Sequence, residues 1–279
     1  MREPYKSVFT SIVQGIDDGL DRDTTRYALD GVTDPSALRA SLGRDGVRVV
    51  IALGTKGVTA AKRLENEIEV IVGAVLTEPR ENRAVFRGIT LSPDPEILFE
   101  RLMKVAPSAK RVTVIYDRLS NQGLIDRAHV AARSQALLLN AIPAEDLAAG
   151  ARLYRTLLDT TAGVSEVIWI PQGDDTVDDN AVLPLVLKGA WDKKIVVISS
   201  NPSHVRKGAL MALYPDNAGL GRSLAAMAME TLRTGGVKKG KFVPLRDLLT
   251  AVNIRTAEHL GLEPVSQTER QFDMVFPER

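Results

Sequence analysis

Apolar positions along the chain fall into two alternating rhythms. Val8, Phe9, Ile12, Val13, Ile16 and Leu20 recur at helical spacing, so the chain is predicted to open on a helix, with Pro4 tolerated in its first turn. Residues 24–29 read as a strand. Asp34-Pro35-Ser36 starts a helix carrying Leu38 and Leu42, and residues 47–53 (VRVVIAL) form a buried strand. Gly54-Thr55-Lys56-Gly57 is read as a turn into a helix through Leu64, followed by a strand over 68–76, a polar loop over 77–88 and a helix over 97–105.

The second half repeats the scheme. RVTVIYD, residues 111–117, is a short apolar run ending in Asp, preceded by the amphipathic PEILFERLMKVAP. Strands are predicted at 111–116, 137–142, 166–170 and 195–199, with helices near 121–135, 146–161 and 179–191 between them. Residues 211–214 give another strand, and 217–234 a long helix with Leu220, Leu224, Met227 and Leu232 on its apolar side, ended by Gly235-Gly236. Over 241–279 two short strands and a helix near 255–260 are expected. The strands are continuous β-branched runs rather than alternating ones, as in a parallel sheet covered on both faces. Strand–helix alternation on both sides of residue 110 predicts two similar doubly wound α/β lobes with a cleft between them.

Composition adds mostly exclusions. The 279 residues suffice for two cores, and a net charge of +1 carries no field that would draw nucleic acid or an anionic membrane. Lys238-Lys239-Gly240-Lys241 reads as a solvated turn. With no cysteine, disulfides, thiolate zinc sites and cysteine nucleophiles are excluded. No apolar run reaches the roughly 18 residues of a membrane span, and MREPYKSVF lacks the apolar core of a secretory signal.

Polar residues just past strand ends are where open parallel sheets hold ligands. Here they are Thr55, Thr77 and Glu78, Tyr116 and Asp117 with Ser120 and Asn121, Gln172 with Asp174 and Asp175, Ser199, Ser200 and Asn201, and Tyr214. Helix N-termini suit a carboxylate and acidic side chains an ammonium, so the set fits a small zwitterion. The Ser, Asp and Asn residues among them are also common helix caps and turn formers, but caps alone would not require Tyr116 and Tyr214. GTKG lacks the spacing of a phosphate loop, and no G-x-G-x-x-G follows a strand. His129, His204 and His259 have no metal-ligand spacing and read as surface histidines. Asp174, Asp175, Asp178 and Asp179 read as a negative first helical turn rather than a Ca²⁺ loop. Ser199 has no G-x-S-x-G context, and Trp169 and Trp191 read as core. No cofactor, metal site or catalytic residue is expected.

The order of segments resembles the ABC-transporter substrate-binding proteins of the type that includes tryptophan- and tyrosine-binding members. The pieces that carry it are VVIALGTKGV, AVLTEP, RGITLSPDPEILFERLMKVAPSAKRVTVIYD, VIWIPQGDDTV, IVVISSN, RKGALMALYPDNAGLGRSLAAMAMETL and NIRTAEHLGL, within residues 47–262. That resemblance implies a type I periplasmic-binding-protein fold: two Rossmann-like lobes joined by a hinge, lobe 1 from 1–108 plus 217–240 and lobe 2 from 109–216 plus 241–279. It carries ligand contact over to Thr55, Thr77, Glu78, Asp117, Ser120, Asn121, Asp174, Asp175, Ser199, Ser200 and Tyr214. Lys56, Glu78 and Pro171-Gln172-Gly173 depart from the family pattern, so an aromatic amino-acid ligand does not follow. Family members begin with a signal peptide and a strand; this chain begins at the helix, so the first strand of lobe 1 is expected to be missing through a shortened chain or misplaced start.

The expected role is a monomeric, periplasmic or extracytoplasmic solute-binding component of an ABC importer, partnered by a membrane permease. A sensory module of the same fold, reporting to a signalling partner, is the alternative. A doubly wound enzyme is a third reading, and a repressor is disfavoured because no helix-turn-helix precedes the first lobe.

Overall fold

A computed structural model describes residues 5–20, 24–29, 35–62, 64, 68–78, 86–173, 176–235, 240–262 and 271–278. The chain divides into two compact units, Met1–Leu91 with Pro215–Asp247 and Ser92–Tyr214 with Leu248–Arg279. The chain passes between them three times, after residues 91, 214 and 247; the sequence reading had placed these passages after 108, 216 and 240.

In the first unit the described sheet has four strands in the order β1-β2-β3-β9: β1 Val49–Leu53, β2 Glu69–Val75, β3 Arg87–Pro93 and β9 Phe242–Leu245. β1 pairs parallel with β2, and β2 with β3. The sheet ends on β1, where every residue but Ala52 is partly exposed. β3 begins inside the expected 77–88 loop. Its Arg87 is tied to Thr231 and Glu230 of helix α9 (Asn217–Thr234), and Gly88 N donates to Lys241 O, both contacts far away in sequence.

Residues 24–29 form no strand. A strand needs a ladder partner; here Thr24 and Arg26 are instead fastened to Asp17 at the end of α1 (Tyr5–Asp18), and Tyr27 donates to Asp45. α1 lies against α9 (Asn217–Thr234), with Ile12 fully buried. Two glycines allow the approach: a Cβ on Gly15 would overlap Ala218 O, and one on Gly221 would overlap Ile12 O. α2 spans Pro35–Arg44, and α3, Gly54–Ala61, starts at Gly54, so GTKG is the first helical turn rather than a loop before it.

The second unit has seven strands in the order β11-β10-β8-β7-β6-β4-β5. They are β4 Arg111–Asp117, β5 Leu138–Ala144, β6 Glu166–Ile170, β7 Val196–Ser199, β8 Met211–Pro215, β10 Leu248–Asn253 and β11 Met274–Phe276. β4 pairs parallel with β5 and β6, β6 with β7, and β7 with β8. The chain leaves β4 outward to β5 and returns on the other side as β6, which makes the β4–β6 boundary the topological switch point.

One sheet face buries Ile115, Ile168, Ile170 and Val197 beneath α6 (Leu147–Thr160) and α7 (Val182–Asp192), through Tyr154, Leu158, Leu183 and Val186. Trp169, the next side chain along β6, points the other way and meets Phe99 of α4 (Pro95–Val105) edge-on, centroids 5.7 Å apart. α4 and α5 (Arg118–Ser134) pack together in this unit.

Local chemistry sets the helix starts. Asp94, Asp117, Asp146 and Asp216 cap α4, α5, α6 and α9, each accepting a backbone N–H of the first turn at 2.7–3.1 Å. Gly235, at φ +72°, closes α9 in the left-handed conformation that glycine adopts without strain. A short helix, α8 (Pro202–Lys207), was not anticipated. It is capped by Asn201, which accepts from Ser203 N at 2.9 Å. Where two strands are expected over 241–279, the described residues of that segment form three, β9, β10 and β11, beside α10 (Ile254–His259).

Candidate functional site

Parallel pairing puts the carboxyl ends of β4, β6, β7 and β8 side by side in the second unit, and with them Tyr116, Asp117, Ser120, Asn121, Gln172, Ser199, Ser200, Asn201 and Tyr214. Asp174 and Asp175 lie outside the described residues. In the first unit Thr55, exposed at the start of α3, and Thr77 and Glu78, half-buried past β2, share the carboxyl edge of β1 and β2.

Several of these side chains carry structural duties. Asp117 spends both carboxylate oxygens on Leu119 N and Ser120 N, at 2.9 and 3.1 Å. Tyr116 is buried and gives its hydroxyl to Gln122 Oε1 at 3.0 Å; Asn121 is also buried. Asp178, on the β6–α7 connection, accepts from the backbone N–H groups of Asn180, Ala181 and Val182. Those bonds, that from Val182 foremost, hold its carboxyl below the usual range. Tyr214 is raised by burial and by the charge of Asp273. The carboxylates that suggested an ammonium site are, where described, engaged.

The residue that sequence reading misplaced is His204. It is 6 % exposed, not a surface histidine. Ser199 Oγ lies 2.8 Å from its Nδ1, and Asp179 Oδ1 lies 2.9 Å from its Nε2. A carboxylate only accepts, so Nε2 carries the proton and Nδ1 accepts from the Ser199 hydroxyl. Ser199 Oγ in turn accepts from Asn201 N at 3.1 Å, and Lys207 Nζ donates to Asp179 Oδ2 at 2.8 Å.

Burial holds the imidazole below its ordinary value against the pull of Asp179, so it is neutral at pH 7. Asp179 is lowered, chiefly by Lys207. Ser, His and Asp are thus in line, yet Ser199 is 1 % exposed and its hydroxyl is not presented to a substrate. The chain of bonds ties the end of β7 to the β6–α7 connection. His259 is also occupied, stacked on Trp191 at 3.7 Å, while His129 is exposed.

Three buried polar atoms stand out at the same edge. Among the described residues Trp169 Nε1, Gln172 Oε1 and Ser200 Oγ have no hydrogen-bond partner. A separate cavity of about 320 Å³ lies within the first unit, lined by Ile89, Ser223, Met227, Glu230, Arg246 and Asp247 among others. Among the described residues no group of three or more potential metal ligands occurs, and no helix is long and apolar enough to cross a membrane.

No family model matches the chain, and no curated protein matches it in sequence. Solved structures do match along nearly its whole length. An ABC domain from Streptococcus pneumoniae in complex with L-Trp superposes with a TM-score of 0.56 at 16 % identity, over 96 % of both chains. A conserved domain protein from Vibrio cholerae gives 0.55 at 17 %, over 96 % of this chain and 95 % of its own. The ligand-free, open form of a substrate-binding protein with adhesive properties from Clostridium difficile gives 0.60 at 19 %, over 94 % and 92 %. At such identities the likeness speaks for architecture: the chain has the two-unit α/β fold of type I periplasmic binding proteins.

Proposed function

We propose that this chain is a solute-binding protein, the extracytoplasmic ligand-carrying component of an ABC importer, and that it is not an enzyme. Its two units act as lobes that close on a small polar molecule, an amino acid or a metabolite of similar size. The closed form is then read by a membrane permease. The observation that carries the reading is the gathering of hydroxyl, amide and phenol groups at the carboxyl ends of four neighbouring parallel strands, astride the switch point. Thr55, Thr77 and Glu78 supply the corresponding edge of the first unit. Closure follows from differential affinity: a ligand that meets both lobes only in the closed state draws the population there.

Asp117 is kept in the site as an organiser, since its cap aims the first turn of α5, with Ser120 and Asn121, at the strand ends. Ser199 acts likewise through His204. Gln172, Ser200, Asn201 and Tyr214 are the groups assigned to direct contact in this lobe.

A thermal-shift screen of the purified chain against amino acids, pentoses and hexoses, nucleosides and small carboxylates tests the proposal. A ligand at about a thousand times its dissociation constant adds roughly 4 kcal/mol. For a protein of this size that raises Tm by about 8–16 °C. One chemical class is expected to stand out; a cooperative transition that no compound moves would count against solute binding.

A further inference from the structure

The three orphaned atoms at the β6–β7 corner have a chemistry of their own. Trp169 is the penultimate residue of β6, Gln172 follows the end of that strand, and Ser200 follows β7. The corner is tight: Ile170 is in register with Ser199, and Ser200 N donates to Ile170 O at 3.3 Å. Trp169 is 1 % and Ser200 3 % exposed. A buried donor or acceptor without a partner is costly, and native structures hold few of them. Of the neighbouring groups, Ser199 is committed to His204, the side-chain oxygen of Asn201 to the cap of α8, and Asp179 to His204 and Lys207.

Building on the solute-binding reading, we infer that this corner is the part of the site that recognises a neutral hydroxyl or carboxamide group of the solute. An indole N–H only donates, an amide carbonyl only accepts, and a serine hydroxyl does either. A single group that partnered all three would have to accept from Trp169, donate to Gln172 and exchange with Ser200. An alcohol or a primary amide does all three. A carboxylate offers no donor for Gln172, and an ammonium offers no acceptor for Trp169. The solute class is therefore polyhydroxylated or amide-bearing rather than purely cationic or purely acidic.

The test uses the two tryptophans of the chain as reporters. The full-length protein with ¹⁵N-labelled indoles is titrated with D-ribose, L-rhamnose, L-glutamine, L-tryptophan, L-arginine and putrescine, while Tm is followed in parallel. A hydroxyl- or carboxamide-bearing probe is expected to raise Tm and move the Trp169 indole resonance while that of Trp191, stacked on His259, stays. Ser200→Ala should weaken the same probe at least ten-fold and, since it removes an unpartnered buried hydroxyl, should not lower the Tm of the free protein. Trp169→Phe, which keeps the edge-on packing partner of Phe99 but removes the N–H, should weaken it similarly.

The assignment is overturned, with solute binding intact, if the tightest probe is L-tryptophan, L-arginine or putrescine. It is equally overturned if a bound probe leaves the Trp169 indole unmoved, or if both variants change Tm but not affinity, the mark of an internal structural water. If no probe raises Tm, the solute-binding reading fails and this one with it.

Discussion

At the scale of single residues, His204 has the most to say. A buried neutral imidazole has a folded pKa below its unfolded value of 6.5, so the unfolded chain binds more protons between the two. The stability it contributes is present above pH 6.5 and is lost as pH falls through 6.5 toward the folded value. Urea unfolding at pH 7.5 and 5.5 should show a lower midpoint at the acid end, and His204→Gln should lose most of that difference while lowering the midpoint at pH 7.5. Asp179 titrates in a separate window. Its lowered carboxyl contributes above 3.8 and is lost on further acidification, so Asp179→Asn should weaken the protein at neutral pH and flatten the response near pH 3–4. A surface histidine, the expectation from sequence, would produce neither effect. That expectation failed because a histidine's burial is decided by what closes over it, here Asp179 from twenty-five residues away, and no local spacing encodes that.

At the scale of elements, caps and close crossings are separable. Asp146 is exposed, and its side chain accepts one bond, from Ala149 N at 2.7 Å. Asp146→Ala should therefore cost about 1 kcal/mol, the ordinary value of a cap, read as a Tm drop of about 2–4 °C. The crossing of α1 and α9 behaves differently. A methyl on Gly15 lands on a backbone carbonyl, which cannot swing aside as a side chain would. Gly15→Ala should cost about 1–3 kcal/mol despite its better helix propensity, as overpacking does; a gain in Tm would show that the two helices slide apart freely. The capped helices were legible because cap and apolar stripe lie within one short window. Residues 24–29 and β3 were not. The first has strand-like composition but no ladder partner, while the second hides its start in Arg87 and Gly88, whose partners in β2, α9 and residue 241 are all distant in sequence.

At the scale of the whole molecule, two units with separate cores predict separable responses. Leu42, Val58, Val72 and Phe86 belong to one core, and Ile115, Ile168, Leu183 and Val197 to the other. Ile168→Val should cost about 0.5–1.5 kcal/mol. Its loss of amide-exchange protection should be concentrated in β4, β6 and β7, with β1 and β2 spared; equal loss in both units would mean that they unfold as one. Alternation of strands and helices, the doubly wound class and the carboxyl-edge placement of candidate residues were all in the amino-acid sequence. Each follows from patterns a few residues long, governed by backbone geometry and the burial of apolar faces. Tertiary structure decided the rest: β9 pairs in the first unit, GTKG is helix, the strand-end carboxylate of Asp117 serves a cap, and Trp169, Gln172 and Ser200 are left with unmet hydrogen bonds. Those outcomes depend on which distant groups arrive at one place, and a hydrogen bond carries no trace in the sequence of either partner until folding brings the two together.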